Sequence, residues 1–250
     1  MSTTVANPNP HNILRTSDFD PKKIIITESL KTKFGGLQSY VNYPHKGTGN
    51  GKVYYQTPIM SVPFGIVKSQ MEGQAEPKYY LEMSFNATTD KLDGFHKRTH
   101  ELFEGIDDKM LDVAVERSAD WFKKKKERSV IKDEKYKSVL RSNNDENGNP
   151  KYDYPDRLNF KILVNDDGKP AVEVYNNVRE RLEINSIDEL TKLIPPKSRV
   201  KAIVQAASVW VTSTGCGITW RVVQIKVYPS EQMPDFAFQP SDDEAEMLDD

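Results

Sequence analysis

Among 250 residues there is one cysteine, Cys216. A lone thiol excludes an intramolecular disulfide and any zinc site built from several cysteines, and it fits a reducing compartment. No apolar run approaches the ~20 residues that span a bilayer. The opening "MSTTVANPNPHNILRTSDFDP" lacks the basic start and apolar centre of a secretory leader. An intracellular protein, neither secreted nor membrane-bound, is the expectation. Catalytic signatures are scarce as well. There is no G-x-S-x-G nucleophile turn. "GTGNGKV" (Gly47 to Val53) has three residues between its glycines where a phosphate loop has four, and Val53 stands where Ser or Thr is required; it reads as a turn. His96 and His100 could share a helical face with Glu101 or Glu104, but no third ligand of recognisable spacing accompanies them. Asp107-Asp108 and Asp166-Asp167 are the close aspartate pairs of the body, and they read as helix surface and turn, not as the metal-holding cluster a nuclease needs. Cys216 lies between two glycines with no base nearby and reads as a structural thiol. No catalytic residue, metal ligand or cofactor is expected, and so no enzyme.

Charge is plentiful but unevenly placed. The formal net charge is -2. The last ten residues, "SDDEAEMLDD", hold six acidic groups, Asp242, Asp243, Glu244, Glu246, Asp249 and Asp250, and no basic one. Without those six, 31 acidic groups face 35 basic ones, so residues 1–240 carry a net charge of +4. A mildly basic body with an acidic tail is expected. Ser241 precedes the acidic run and fits a phosphorylation site that would add about -1.5 to -2 of charge.

The chain divides into an N-terminal arm (residues 1–20), a body (21–230) and the acidic tail (231–250). In the body, strand-length segments rich in β-branched and aromatic residues are bounded by Gly, Pro and Asn: "KKIIITES", "GLQSYVNY", "KVYYQTPIM" and "KYYLEMSF". The period then changes. Phe95, Leu102, Phe103, Ile106, Met110, Leu111, Ala114, Trp121 and Phe122 recur at three- and four-residue steps, which predicts an amphipathic helix over about 92–126, with a break near Gly105. "RLNFKILVN" and "AVEVYN" return to strands, and "SIDELTKLI" carries the capping-box spacing Ser186…Glu189. "KAIVQAASVWVTSTGCGITWRVVQIKVYP" (Lys201 to Pro229) reads as a long core hairpin. Strict alternation groups Ala202, Val204, Ala206, Ser208 and Trp210 on one face of its first strand, and Ile218, Trp220, Val222 and Gln224 on one face of its second. The fold class is mainly β with an inserted α-helix, in one domain with loose ends.

What the body offers instead of catalytic motifs is aromatic residues interleaved with cations on strands. Single-stranded nucleic acid is gripped this way: bases stack on exposed rings while Lys and Arg track the phosphates. In Tyr54-Tyr55 and Tyr79-Tyr80, alternation sends one ring of each pair into the core and the other outside. The candidates for stacking are Tyr40, Tyr54, Phe160 and Trp210; those for phosphate are Lys52, Arg157, Lys161, Lys201 and Arg221. A mobile acidic tail tethered to a cationic groove would compete for it at high effective concentration. Phe236-Ala237-Phe238 is an apolar end that a homodimer could use.

"YQTPIMSVPFGIV" (Tyr55 to Val67), "YYLEMSF", "SADWFKKK" and "YPDRLNFKILVNDDGKP" (Tyr154 to Pro170) resemble, in the same order, segments of the single-stranded DNA-binding proteins of nucleocytoplasmic large DNA viruses of the phycodnavirus and mimivirus type. Those in turn look like distant relatives of the phage replication protein that has an OB-fold and an acidic C-terminal tail. The resemblance covers about residues 18–250. It implies an OB-fold-like β-barrel with a helix between the third and fourth strands. It also implies non-catalytic coating of single-stranded DNA in viral replication, recombination and repair, in the replication compartment of the host cytoplasm or nucleus. The tail would contact a DNA polymerase or a helicase/primase. This sequence departs from the phage pattern at its end, "EMLDD", which has no terminal aromatic. The alternative is a structural protein of the virion that uses the β domain as a docking scaffold.

Overall fold

A computed structural model describes residues 12–33, 35–70, 76–142 and 154–229. The expected tail and the Phe236–Phe238 segment lie outside them.

The chain enters through short strands β1 (Ile25–Ile26), β2 (Leu30–Lys31) and β3 (Leu37–Ser39), then a hairpin of β4 (Val41–His45) and β5 (Gly49–Gln56). Gly47 and Gly49, both at positive φ, make that hairpin's turn, as "GTGNGKV" predicts. Next come β6 (Met60–Val62), β7 (Ile66–Ser69) and β8 (Lys78–Ser84). A helical stretch follows: α1 (Gly94–Glu116), α2 (Ser118–Phe122) and α3 (Arg128–Val130). Then come β9 (Leu140–Arg141), β10 (Arg157–Ile162), β11 (Glu173–Tyr175), β12 (Arg181–Leu182), α4 (Ile187–Leu193), β13 (Ser198–Val211) and β14 (Cys216–Tyr228).

Five of these strands close a ring. β6 pairs with β8, β8 with β10, β10 with β14, β14 with β13, and β13 back with β6. All contacts are antiparallel except β10–β14, which is parallel. This is the five-stranded OB-type barrel, with β6, in line with β5, as its first strand, and β8, β10, β13 and β14 as the second to the fifth. The long helix α1 falls between the second and third strands, one connection earlier than the resemblance implies; the short α4 occupies the connection between third and fourth. In α4, Ser186 Oγ accepts from Glu189 N at 3.1 Å, the N-cap bond that the spacing predicts, and Glu189 Oε2 reaches back to accept from Asn185 N at 2.8 Å, one residue before the cap.

Helix α1 plugs the barrel. Leu102, Phe103, Ile106 and Met110 face inward, and the Phe103 ring meets Tyr55 (5.6 Å between centroids), Trp220 (5.4 Å) and Phe160 (6.1 Å). These rings come from β5, β14 and β10, so one side chain ties the helix to three walls, with edge or tilted geometries that aromatic pairs prefer. The expected break at Gly105 does not occur. The helix runs on through Gly105, whose missing side chain makes room for a neighbour: a Cβ there would lie 3.0 Å from the Pro21 ring. Helix order instead changes at Arg117, and Lys123, at φ 61°, ends α2 before the predicted limit.

Residues 12–20, expected to lie in the N-terminal arm, pack against the barrel. Leu14 and Phe19 are buried, Leu14 N donates to Tyr54 O at 2.8 Å, and Phe19 meets Tyr43 edge to face. Residues 12–20 therefore belong to the body; two apolar side chains in an Asn/Pro-rich stretch were enough to anchor it.

Two β-bulges correct the facing of the long hairpin. Register shifts occur between Ile203 and Val204 and between Ala206 and Ser208. An extra residue in one strand inverts alternation beyond it. Val209 and Val211 thus point inward while Trp210 turns out, and on β14 Ile218, Trp220, Val222 and Ile225 are buried while Arg221, Gln224 and Lys226 face outward.

Candidate nucleic-acid interface

On the outer face of β8 and β10, registers are strict: Ser84↔Arg157, Glu82↔Asn159, Tyr80↔Lys161. Alternation sends Leu81, Met83, Leu158, Phe160 and Ile162 into the core and leaves the polar set outside. Above this face lies a groove of about 560 Å³. Its walls carry Lys78, Lys137, Arg141 and Lys161, the rings of Tyr80 and Trp210, and Glu82 as the one carboxylate among the described residues. Burial, and then the neighbouring Lys78, push the Lys161 ammonium below its ordinary pKa. Four gathered cations, one of them partly desolvated, with a single carboxylate favour an anionic ligand. In OB barrels the face of the second and third strands, flanked by the loop between the fourth and fifth, is where oligonucleotides bind, and the β13–β14 connection is that loop here.

The far wall depends on a segment that sequence reading left unassigned. Residues 135–141 cross from β14 to β10: Lys137 N donates to Cys216 O at 2.9 Å, and β9 pairs with Arg157 and Leu158. Two glycines permit that crossing. A Cβ on Gly215 would lie 2.5 Å from Lys135 O, and one on Gly217 would lie 2.6 Å from Lys137 O and 3.2 Å from the Trp210 ring. Gly217 is also the register partner of Trp210. The indole therefore lies against bare backbone at the groove wall. "GCG" is not only a turn; it admits a backbone and seats a ring. Cys216 between them is buried, which pushes its thiol up to about 11 and makes it inert, as expected for a structural thiol.

The segment is anchored from below by Asp107, on α1. Its carboxylate accepts hydrogen bonds from Tyr136 Oη (2.6 Å) and from Ser138 Oγ. Burial pushes Asp107 up to about 6, against the pull of those two donors. Asp107 is a half-buried anchor, not the fully solvated helix-surface residue its sequence suggested.

At the other end of the face, Arg157 makes an ion pair with Glu82 (3.4 Å) and lies over the ring of Phe64 (5.1 Å). Phe64, in the turn after β6, is 53 % exposed. Stacking rings thus stand at the end (Phe64), middle (Tyr80) and hairpin side (Trp210) of one cationic surface.

The predicted residues separate into groups. Lys161 and Trp210 line the groove and Arg157 borders it. Arg221 is the register partner of Lys161 and donates from Nε to Gln205 Oε1 at 2.8 Å. Gln205 in turn pairs with Tyr54, so Tyr54, Gln205, Arg221 and Lys161 form one row around the barrel. Three strand spacings put Tyr54 about 14 Å from Lys161. Phe160 is a correction: it is 0 % exposed, facing Phe103 and Trp220, because its neighbour Lys161 takes the outward position. Tyr40 (55 % exposed) and Lys52 stand on the β3–β5 extension, away from the groove. Lys201 lies in a different groove. Of the expected pairs, Tyr55 is core and Tyr79 packs on it, while Tyr80 lines the groove. Sequence reading missed Phe64, Lys137 and Arg141; the two glycines around Cys216 were the available signal for the last two.

The histidine pair is structural. His96 Nε2 lies 3.0 Å from Ile59 O, and His100 sits between Asp156 (2.9 Å) and Glu104 (3.4 Å). Burial alone would lower His100, but Asp156 and Glu104 carry its pKa upward. Among the described residues no group of three or more His, Cys, Asp or Glu could hold a metal ion, and no helix is long and apolar enough to cross a membrane.

A family model matches residues 88–240, more than half of the chain: a family of unknown function, DUF5871. The chain belongs to that family. In this DUF5871 member the matched region runs from the approach to α1 past the end of β14, and so includes the crossing segment and Trp210. No curated protein matches it. Solved structures similar to the DUF5871 chain include the single-stranded DNA-binding protein from bacteriophage Enc34 in complex with ssDNA, at 14% identity and TM-score 0.42, covering 86% of this chain and 99% of that one. A second is gp2.5, a single-stranded DNA-binding protein encoded by bacteriophage T7, at 11% identity and TM-score 0.45, covering 75% and 98%.

Proposed function

We propose that this DUF5871 protein binds single-stranded DNA without sequence preference and without catalysis. The observation that carries the reading is the groove over β8 and β10, where the rings of Tyr80 and Trp210 alternate with Lys78, Lys137, Arg141 and Lys161 on the ligand face of an OB-type barrel. Rings take the bases and cations take the phosphates. Glu82, tied to Arg157 and to Asn159 Nδ2 (3.3 Å), orients the middle of the floor. The cellular setting that follows is replication, recombination and repair of a large DNA virus, in the replication compartment of its host. The acidic residues 242–250 act in that scheme as a competitor for the groove and a handle for a polymerase or helicase/primase.

A titration with oligo-dT tests the reading. Trp121 and Trp220 are buried, whereas Trp210 is half-exposed in the groove, so stacking should quench tryptophan fluorescence through Trp210. The double variant K78E/K161E should bind at least tenfold more weakly while remaining folded, since it loses two phosphate contacts. Absence of quenching and of binding in the wild type would favour the docking-scaffold alternative.

A further inference from the structure

A second groove, of about 450 Å³, lies at the open end of the β13–β14 hairpin, lined by Tyr175, Arg179, Lys201, Gln224 and Lys226 with Gln56. No carboxylate lines it among the described residues. Lys201 and Lys226 are direct cross-strand partners. Like charges placed opposite each other destabilise a sheet, and burial, then Lys226, push the Lys201 pKa down. Glu173, a neighbouring carboxylate, is already engaged by Gln224 Nε2 (2.7 Å) and Tyr175 Oη (3.1 Å), with Arg181 at 3.9 Å. A cluster of cations held together against its own repulsion and furnished with one ring offers the same two kinds of contact as the first groove.

The two grooves share one surface. The pairs on the outer face of the hairpin run Lys201/Lys226, Ile203/Gln224, Gln205/Arg221, Ser208/Thr219 and Trp210/Gly217, with Gln205 and Gly217 themselves covered and Arg221 and Trp210 the accessible members of their pairs. Thr219 and Trp210 already belong to the first groove, and Arg221 stands between the two, beside Lys161. Seven residues of β14 separate Lys226 from Thr219, about 23 Å of strand. Without the bulge at Val223, Gln224 and Lys226 would face the core and the track would end at Arg221.

We propose that this second groove is a further phosphate-and-base subsite for the same single strand, which leaves the first groove over Arg221 and runs along the β13–β14 face to Lys201, Lys226 and Arg179. The inference rests on the proposed binding of single-stranded DNA, and it lengthens the site beyond one groove, toward the upper part of the ~4–16 nucleotides bound per OB-fold.

The test compares oligo-dT of about 6 and about 20 nucleotides on the full-length wild type and on the double variant R179Q/K226Q. Loss of Lys226 relieves Lys201, so thermal stability should be unchanged or higher. The wild type should bind the long oligomer much more tightly than the short one. The variant should lose about tenfold for the long oligomer, with a salt slope shallower by roughly 1.4, and keep its affinity for the short one. Equal loss for both lengths, or no loss for the long one, overturns the second subsite while leaving the first groove standing. A wild type that binds neither length overturns both.

Discussion

Trp210 is the residue on which most depends. Its outward position is set by the bulge at Ala206/Ser208, and its seat against the backbone by Gly217. Trp210→Ala should cost about 1–3 kcal/mol of oligo-dT affinity, the worth of one stacked base, with the circular dichroism spectrum unchanged; undiminished affinity would remove the ring from the interface. Gly217→Ala addresses the seat itself. Its Cβ would stand 2.6 Å from Lys137 O, so the crossing segment must shift. Denaturant unfolding should show a loss of about 1–3 kcal/mol, typical of overpacking. Phe160 shows why single aromatics are hard to assign from sequence. Its placement follows from the strand's phase, and only the register with Leu81 and Tyr80 fixes that phase.

Among the elements, the segment 135–141 is the one whose conditions can be tuned. Asp107 holds it through Tyr136 and Ser138 while burial raises the carboxyl from an ordinary 3.8 to about 6. A raised carboxyl pKa means that the folded state binds the proton more tightly than the unfolded chain. The corresponding stability is complete below about pH 4 and is lost as pH rises through about 6, on the order of 3 kcal/mol. Relative to Asp107→Asn, the wild type should therefore lose stability between pH 4 and 7 in urea unfolding; parallel profiles for the two would contradict the burial-raised carboxyl. The elements also show what the sequence disclosed. The strands β5, β8 and β10, the capped helix α4 and the apolar period of α1 were legible because burial imposes period 2 or 3.6 on their side chains. The bulges were not, since an extra residue leaves local composition unchanged while inverting every position beyond it. That inversion is why Trp210 was grouped with Val204 and Ala206, and why Gln224 was grouped with the buried Trp220. The crossing segment was hidden for another reason: its partners, Gly215 and Gly217, lie some eighty residues downstream, and nothing local marks "KYKSVLR" as a groove wall.

For the whole molecule, the barrel supplies rigidity and the charges supply the ligand. The rows Tyr54–Gln205–Arg221–Lys161 and Lys78–Tyr80 place cations on a chain whose residues 1–240 carry a net charge of +4, opposed by six acidic residues at 241–250. Deleting Ser241–Asp250 should tighten oligo-dT binding, most visibly at low salt, where a tethered polyanion competes best. Unchanged or weaker binding in a folded truncation would end the competitor role. The central claim, a cationic stacking groove for single strands, is tested most directly by measuring affinity for oligo-dT and for a duplex of equal length across a salt series. The account predicts tighter binding to the single strand at every salt concentration, with a log–log slope of roughly -0.7 per phosphate neutralised. A flat salt profile, or equal affinity for the duplex, would contradict it.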